Sequence, residues 1–173
     1  MSSEKVCGIK VSGKKDGECC VAFLYDNSLT VFSSSDDKFI VDKIVDERPS
    51  VIVFTNPAEV PKEEGFRESE EDLVEEGYSF LPRDMFGRGV IERSVFLANS
   101  VKQKYQPEVI SCRPRISSEA LDVSDDSDLK DLGLKVEKVE SMEEFEAVVA
   151  ALTGEKYLDN SFVNKGFIIP KKE

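Results

Sequence analysis

Apolar residues fall in short runs separated by polar, Gly- and Pro-marked turns, and the period of each run predicts its conformation. Residues 5–13, reading KVCGIKVSG, are apolar, run into a Ser-Gly turn, and predict the first and central strand. Lys10 lies where that buried strand passes into the turn. A charge there is costly unless it is paired or reaches water, so Lys10 requires an acidic neighbour or an opening to solvent. The polar turn at 13–17 leads to a second run at 19–25, and Asp26-Asn27-Ser28 turns the chain into a third at 29–32. These three runs predict an antiparallel meander.

Residues 33–37 offer helix N-caps ahead of Phe39, Ile40, Ile44 and Val45, whose spacing places them on one side of a helix that Arg48-Pro49-Ser50 stops. The apolar run at 51–54 is too short for a helix and predicts a buried strand. A helix between two such strands implies a right-handed crossover and parallel pairing. Residues 57–65 predict a loop, and 68–76 an exposed acidic helix ended by Gly77. Val90, Ile91, Val95, Ala98 and Val101 form an amphipathic stripe over about 88–104, closed by Pro107. Val109, Ile110 and Cys112 predict another short strand, and 118–131 short turns or a short helix anchored by Leu121, Leu129 and Leu132. Ser141 with Glu144 three residues on has the capping-box pattern, followed by Met142, Phe145, Val148, Val149 and Leu152 at core spacing up to Gly154. Residues 166–170 predict a last edge strand ahead of a frayed charged tail.

Composition narrows the chemistry. A chain of 173 residues with 40% hydrophobic content fits one α/β domain spanning 1–173. Its net charge of -12 repels phosphate backbones and anionic lipid on average, which argues against nucleic acid as the default partner. No apolar run approaches the roughly 20 residues that cross a bilayer, and the first five residues lack the order of a secretory signal, so a cytoplasmic location without a membrane partner is expected. The cysteines Cys7, Cys19, Cys20 and Cys112 have no zinc-like spacing and read as buried free thiols. Histidine is absent, which removes His-based triads, bases and metal ligands. No cofactor or metal site is expected.

Six local phrases, in order, give the chain a family likeness. These are Gly8-Ile9-Lys10-Val11-Ser12-Gly13, then Phe54-Thr55-Asn56-Pro57, then residues 67–77, then Ser111-Cys112-Arg113-Pro114-Arg115, then residues 146–154, and last Gly166-Phe167-Ile168-Ile169-Pro170. In this order the chain resembles the prokaryotic family known as domain of unknown function 429, predicted nucleases of the ribonuclease H-like fold. The resemblance implies a mixed five-stranded sheet, three antiparallel strands followed by parallel ones, flanked by helices. It also implies a site at which carboxylates from the first strand, the fourth strand and a late helix hold paired divalent ions.

The departures carry the functional expectation. Where the family has acids, this chain has Lys10, Thr55, Ser111 and Arg115, and only Glu146 stays acidic. One carboxylate cannot hold two hard cations, and an ammonium at Lys10 would repel them. The expectation is a degenerate, non-catalytic relative that acts as a binding or scaffold module, with Lys10 pairing Glu146 across the former site. A divergent metal-dependent nuclease or phosphodiesterase built on Glu59, Asp84 and Glu146 is the alternative. As a binding module the chain would take an unidentified protein partner, for which the acidic stretch 63–76 is one docking candidate; the fold leaves nucleic acid open. Arg67, Arg83, Arg88 and Arg93 form a weaker candidate anion cluster, with solvent exposure as the default.

Overall fold

The computed structural model describes residues 4–14, 16–58, 74–76, 86–137 and 139–172. Strand β1 (Val6–Lys10) pairs antiparallel with β2 (Cys19–Tyr25), which pairs antiparallel with β3 (Ser28–Ser34). The Asp26-Asn27 turn between β2 and β3 has both residues at positive φ, a conformation that matches strand twist and that Asn and Asp tolerate. Helix α1 (Asp37–Glu47) starts at Asp36, whose carboxylate accepts from the Lys38 and Phe39 amides. It ends at Arg48 in the left-handed region, with Ile40 and Ile44 buried.

The chain then enters β4 (Val51–Phe54), which lies parallel to β1 on the side opposite β2, as the crossover argument requires. Helix α2 (Arg88–Lys102) leads into β5 (Glu108–Ser111), parallel to β4. Helices α3 (Pro114–Leu121) and α4 (Asp126–Asp131) precede a two-residue strand, β6 (Lys135–Val136). Helix α5 (Met142–Leu158) and a hairpin of β7 (Phe162–Asn164) with β8 (Ile168–Pro170) complete the described elements. The sheet order is β5-β4-β1-β2-β3-β6, so β1 is interior.

Several expectations are corrected. The sheet has six strands rather than five, because Lys135 and Val136 add parallel to β3 beside Ser28 and Leu29. Residues 166–170 join no edge of that sheet, since β8 pairs with β7 alone. The region 118–131 holds two helices, and the first begins earlier, at Pro114, where proline's missing N–H costs nothing. Gly154 does not end its helix, which continues to Leu158. The complete capping box is at Asp125 and Asp128, not at Ser141, because Glu144 turns its carboxylate to the Glu140 amide. On α2 the buried stripe is Ile91, Ser94, Leu97, Ala98 and Val101, without Val95. The expected helix at 68–76 lies outside the described residues except for the exposed Val74, Glu75 and Glu76.

Two apolar layers cover the sheet. Cys7, Ile9, Ile52 and Phe54 face α1 and α2, whereas Val6, Val51 and Val53 face α5. Helix α5 is buried around its whole circumference from Ala147 to Gly154, as befits a helix enclosed by the sheet, α3 and β8. Two glycines set its distance from the sheet. A Cβ on Gly8 would lie 2.1 Å from the Ala147 carbonyl oxygen, and one on Gly154 2.3 Å from a Val6 methyl.

Candidate functional site

Strand alternation decides which side chains meet α5. In β1 the even positions Val6, Gly8 and Lys10 face it, so the seating of Ala147 over Gly8 brings Glu146 beside the end of the strand. The Lys10 ammonium lies 2.9 Å from a Glu146 carboxylate oxygen. The expected pair is therefore formed, and both side chains also reach solvent, at 35% and 28% exposure. A pair this wet contributes at most about 1 kcal/mol. Its effect lies in placing a positive charge and a hydrogen-bonded carboxylate at the strand end.

Thr55 continues β4 by donating its amide to the Ile9 carbonyl, and it keeps the α5-facing parity of Val51 and Val53. It is 4% exposed, and its hydroxyl has no hydrogen-bond partner among the described residues. Next to it, buried Asn56 donates to the Pro57 carbonyl and to the Ser94 hydroxyl, both at 2.8 Å, and Ser94 donates to the Val90 carbonyl. This chain of bonds ties the end of β4 to α2 and explains why a serine is in the buried stripe of that helix.

Ser111 does not join the site. It pairs in register with Phe54 and so shares the α2-facing side of the sheet, across from Glu146. Cys112 occupies the α5 side, fully buried, with its thiol near Ser117, Thr153 and Glu146 and pushed up to about 12 by burial. The parity of Val109 and Ile110 held this signal, because Cys112 shares the face of Ile110. Arg115 is exposed on the first turn of α3 and lines a groove with Glu146. Its neighbour Arg113 is buried, with its guanidinium over the rings of Phe86 and Phe167 at 4.9 and 4.6 Å. Such stacking fixes the start of α3 against β8.

The candidate anion cluster is not assembled from the arginines that can be placed. Arg88 pairs with Glu92 on its own helix at 2.6 Å. Arg93 is only 10% exposed, against the expectation of solvent exposure: it pairs with Asp37 at 2.8 Å and donates to the carbonyls of Ser12, Lys14 and Gly17. It fastens the β1–β2 turn to the starts of α1 and α2. Arg67, Arg83, Glu59, Asp84 and most of the acidic stretch 63–76 lie outside the described residues.

These residues do not fit a pair of hard divalent ions. The Glu146 carboxylate is bonded to an ammonium, Thr55 and Cys112 offer a neutral hydroxyl and thiol, and no cluster of three or more His, Cys, Asp or Glu suited to a metal occurs among the described residues. None of the described helices is long and apolar enough to cross a membrane.

No protein-family model matches the chain, and no curated protein matches it. Among solved structures it is similar to Thermus thermophilus RuvC in complex with a Holliday junction substrate, at 13% identity and a TM-score of 0.55, over 96% of this chain and 99% of that one. It is also similar to Thermus thermophilus RuvC in another structure, at 13% identity and a TM-score of 0.52, with the same coverage. The mixed sheet with its helices has the ribonuclease H-like fold of RuvC.

Proposed function

We propose that this chain is a non-catalytic ribonuclease H-like module, a degenerate relative of the domain of unknown function 429 family, that acts by binding a protein partner. The observation that carries the reading is the Lys10–Glu146 ion pair at the end of the central strand. The ammonium takes up the carboxylate that a metal would need and repels a second positive charge. Buried Thr55 and Cys112 beside it offer neutral donors that bind magnesium and manganese weakly. The likeness to a junction-bound RuvC makes branched DNA the nucleic acid to test first, while the net charge of -12 weighs against it.

The test is cleavage of four-way-junction, duplex and single-stranded DNA and RNA with magnesium or manganese, with titration calorimetry of manganese alone. No cleavage and no manganese heat are expected. Manganese-dependent cleavage that disappears in Glu146→Ala would overturn the reading in favour of a divergent nuclease.

A further inference from the structure

A groove of about 490 Å³ runs between α3 and α5, just outside the Lys10–Glu146 pair. Half-buried Phe145, with the edges of buried Val123 and Val149, forms its apolar floor. Met142 stands at its mouth with 68% of its surface exposed. Met142, Phe145 and Ser124 also line a shallower trough of about 240 Å³ that extends the groove past Asp125 and Glu140. The two depressions share Ser124, Met142 and Phe145 and so form one continuous strip with an apolar floor and a polar rim.

The rim selects the occupant. Glu119, Asp122, Asp125, Asp126 and Glu140 border the strip, and Arg115 is the one cation lining it among the described residues. Asp125 is engaged in capping α4, but Glu119 and Asp122 are exposed and form no ion pair among the described residues. A second copy of this chain, at -12, would be repelled, and phosphates would meet the same acids. A helix with an apolar stripe flanked by Lys and Arg satisfies both floor and rim.

We propose that this groove docks a basic amphipathic helix of a partner protein, a proposal that rests on the binding-module reading and names the partner's chemistry. The helix places apolar side chains against Phe145, with Met142 closing over them. Its cations lie over Glu119 and Asp122. Methionine suits this role because its unbranched, polarisable side chain adapts to different apolar partners.

The probe is a fluorescent synthetic peptide of leucine and lysine with leucines at helical spacing, compared with a scrambled peptide of the same composition. Anisotropy gives affinity, and amide chemical shifts of the ¹⁵N-labelled full chain locate binding. The expected result is preference for the amphipathic peptide and shifts concentrated in α3, the α3–α4 link and the first half of α5. Met142→Glu should weaken binding about ten-fold or more. Phe96→Glu, at an exposed apolar position on α2, should leave it within about two-fold. Both sites are exposed, so both variants should fold, and thermal melts check this.

Equal binding of the scrambled peptide, shifts spread over other acidic surfaces, equal losses in the two variants, or displacement of the peptide by duplex DNA would overturn the proposal. Metal-dependent cleavage with peptide binding intact would instead overturn only the non-catalytic reading.

Discussion

Replacing Gly8 by alanine tests the packing that creates the site. The new Cβ would stand 2.1 Å from the Ala147 carbonyl oxygen and 2.5 Å from the Ala151 amide nitrogen, both backbone atoms of α5. Ordinary contact begins at 3.4 Å, so the helix must lift by about 1.3 Å over the centre of the sheet. No side-chain rotation relieves this, because the obstacle is a helix backbone held on its other sides by α3 and β8. Overpacking that displaces backbone costs about 1–3 kcal/mol, occasionally more. The shift also loosens close contacts along the buried run from Ala147 to Gly154. Against this, alanine gains only about 0.5–1 kcal/mol over glycine in a strand. A net loss of about 2 kcal/mol is expected once that gain is set against the overpacking, read as a lower urea midpoint at unchanged m-value. Gly87→Ala is the control, since nothing lies within 4 Å of its Cβ position, and it should cost under about 1 kcal/mol as a cap change. A Gly8→Ala protein within about 1 kcal/mol of wild type would refute the close approach of β1 and α5 and with it the placement of Glu146.

Arg93→Lys should cost about 2 kcal/mol or more, because an ammonium cannot reproduce the fork that holds Asp37 and three carbonyls together; a chemical melt within about 0.5 kcal/mol of wild type would contradict this. The thiols of Cys7, Cys19, Cys20 and Cys112 are all raised by burial, so the folded state holds protons that an unfolded chain releases above its thiol pKa of 9.0. Stability should therefore fall as pH rises past about 9, and native protein at neutral pH should resist iodoacetamide. Flat stability between pH 8 and 10.5, or fast labelling of Cys112 under native conditions, would count against that burial.

Much of the fold was legible because short apolar runs and Gly, Pro and Asn turns have few alternative readings. The central place of residues 5–13, the meander and the parallel return of 51–54 followed from run length and order alone. What escaped was set by tertiary context. Lys135 and Val136 are too few for a periodic signal, and they become a strand only because β3 presents an open edge beside them. Arg93 looked like a surface charge because its acidic partner and its carbonyls come from residues 12–37, far along the chain. Of the site, the pairing of Lys10 with Glu146 was legible from a family likeness, whereas the face that each β5 residue takes depends on strand register. Ser111 shares a side with Phe54, and strand parity puts Cys112, not Ser111, on the α5 side.

The residues that hold the fold and those that stand at its site are different sets, and this separates architecture from chemistry here. Gly8, Gly154, Ala147 and Ala151 fix the approach of α5 to the sheet, with Val6 and Val53 packed around them. None of them offers a group for catalysis. Lys10 and Glu146 lie at the solvent-reaching end of the same interface, where a change of charge costs little because water shares in solvating it. The frame that this chain shares with RuvC is therefore set by residues that carry none of the charge at the strand end. What distinguishes this chain chemically is the ammonium at position 10 and the groove beside it.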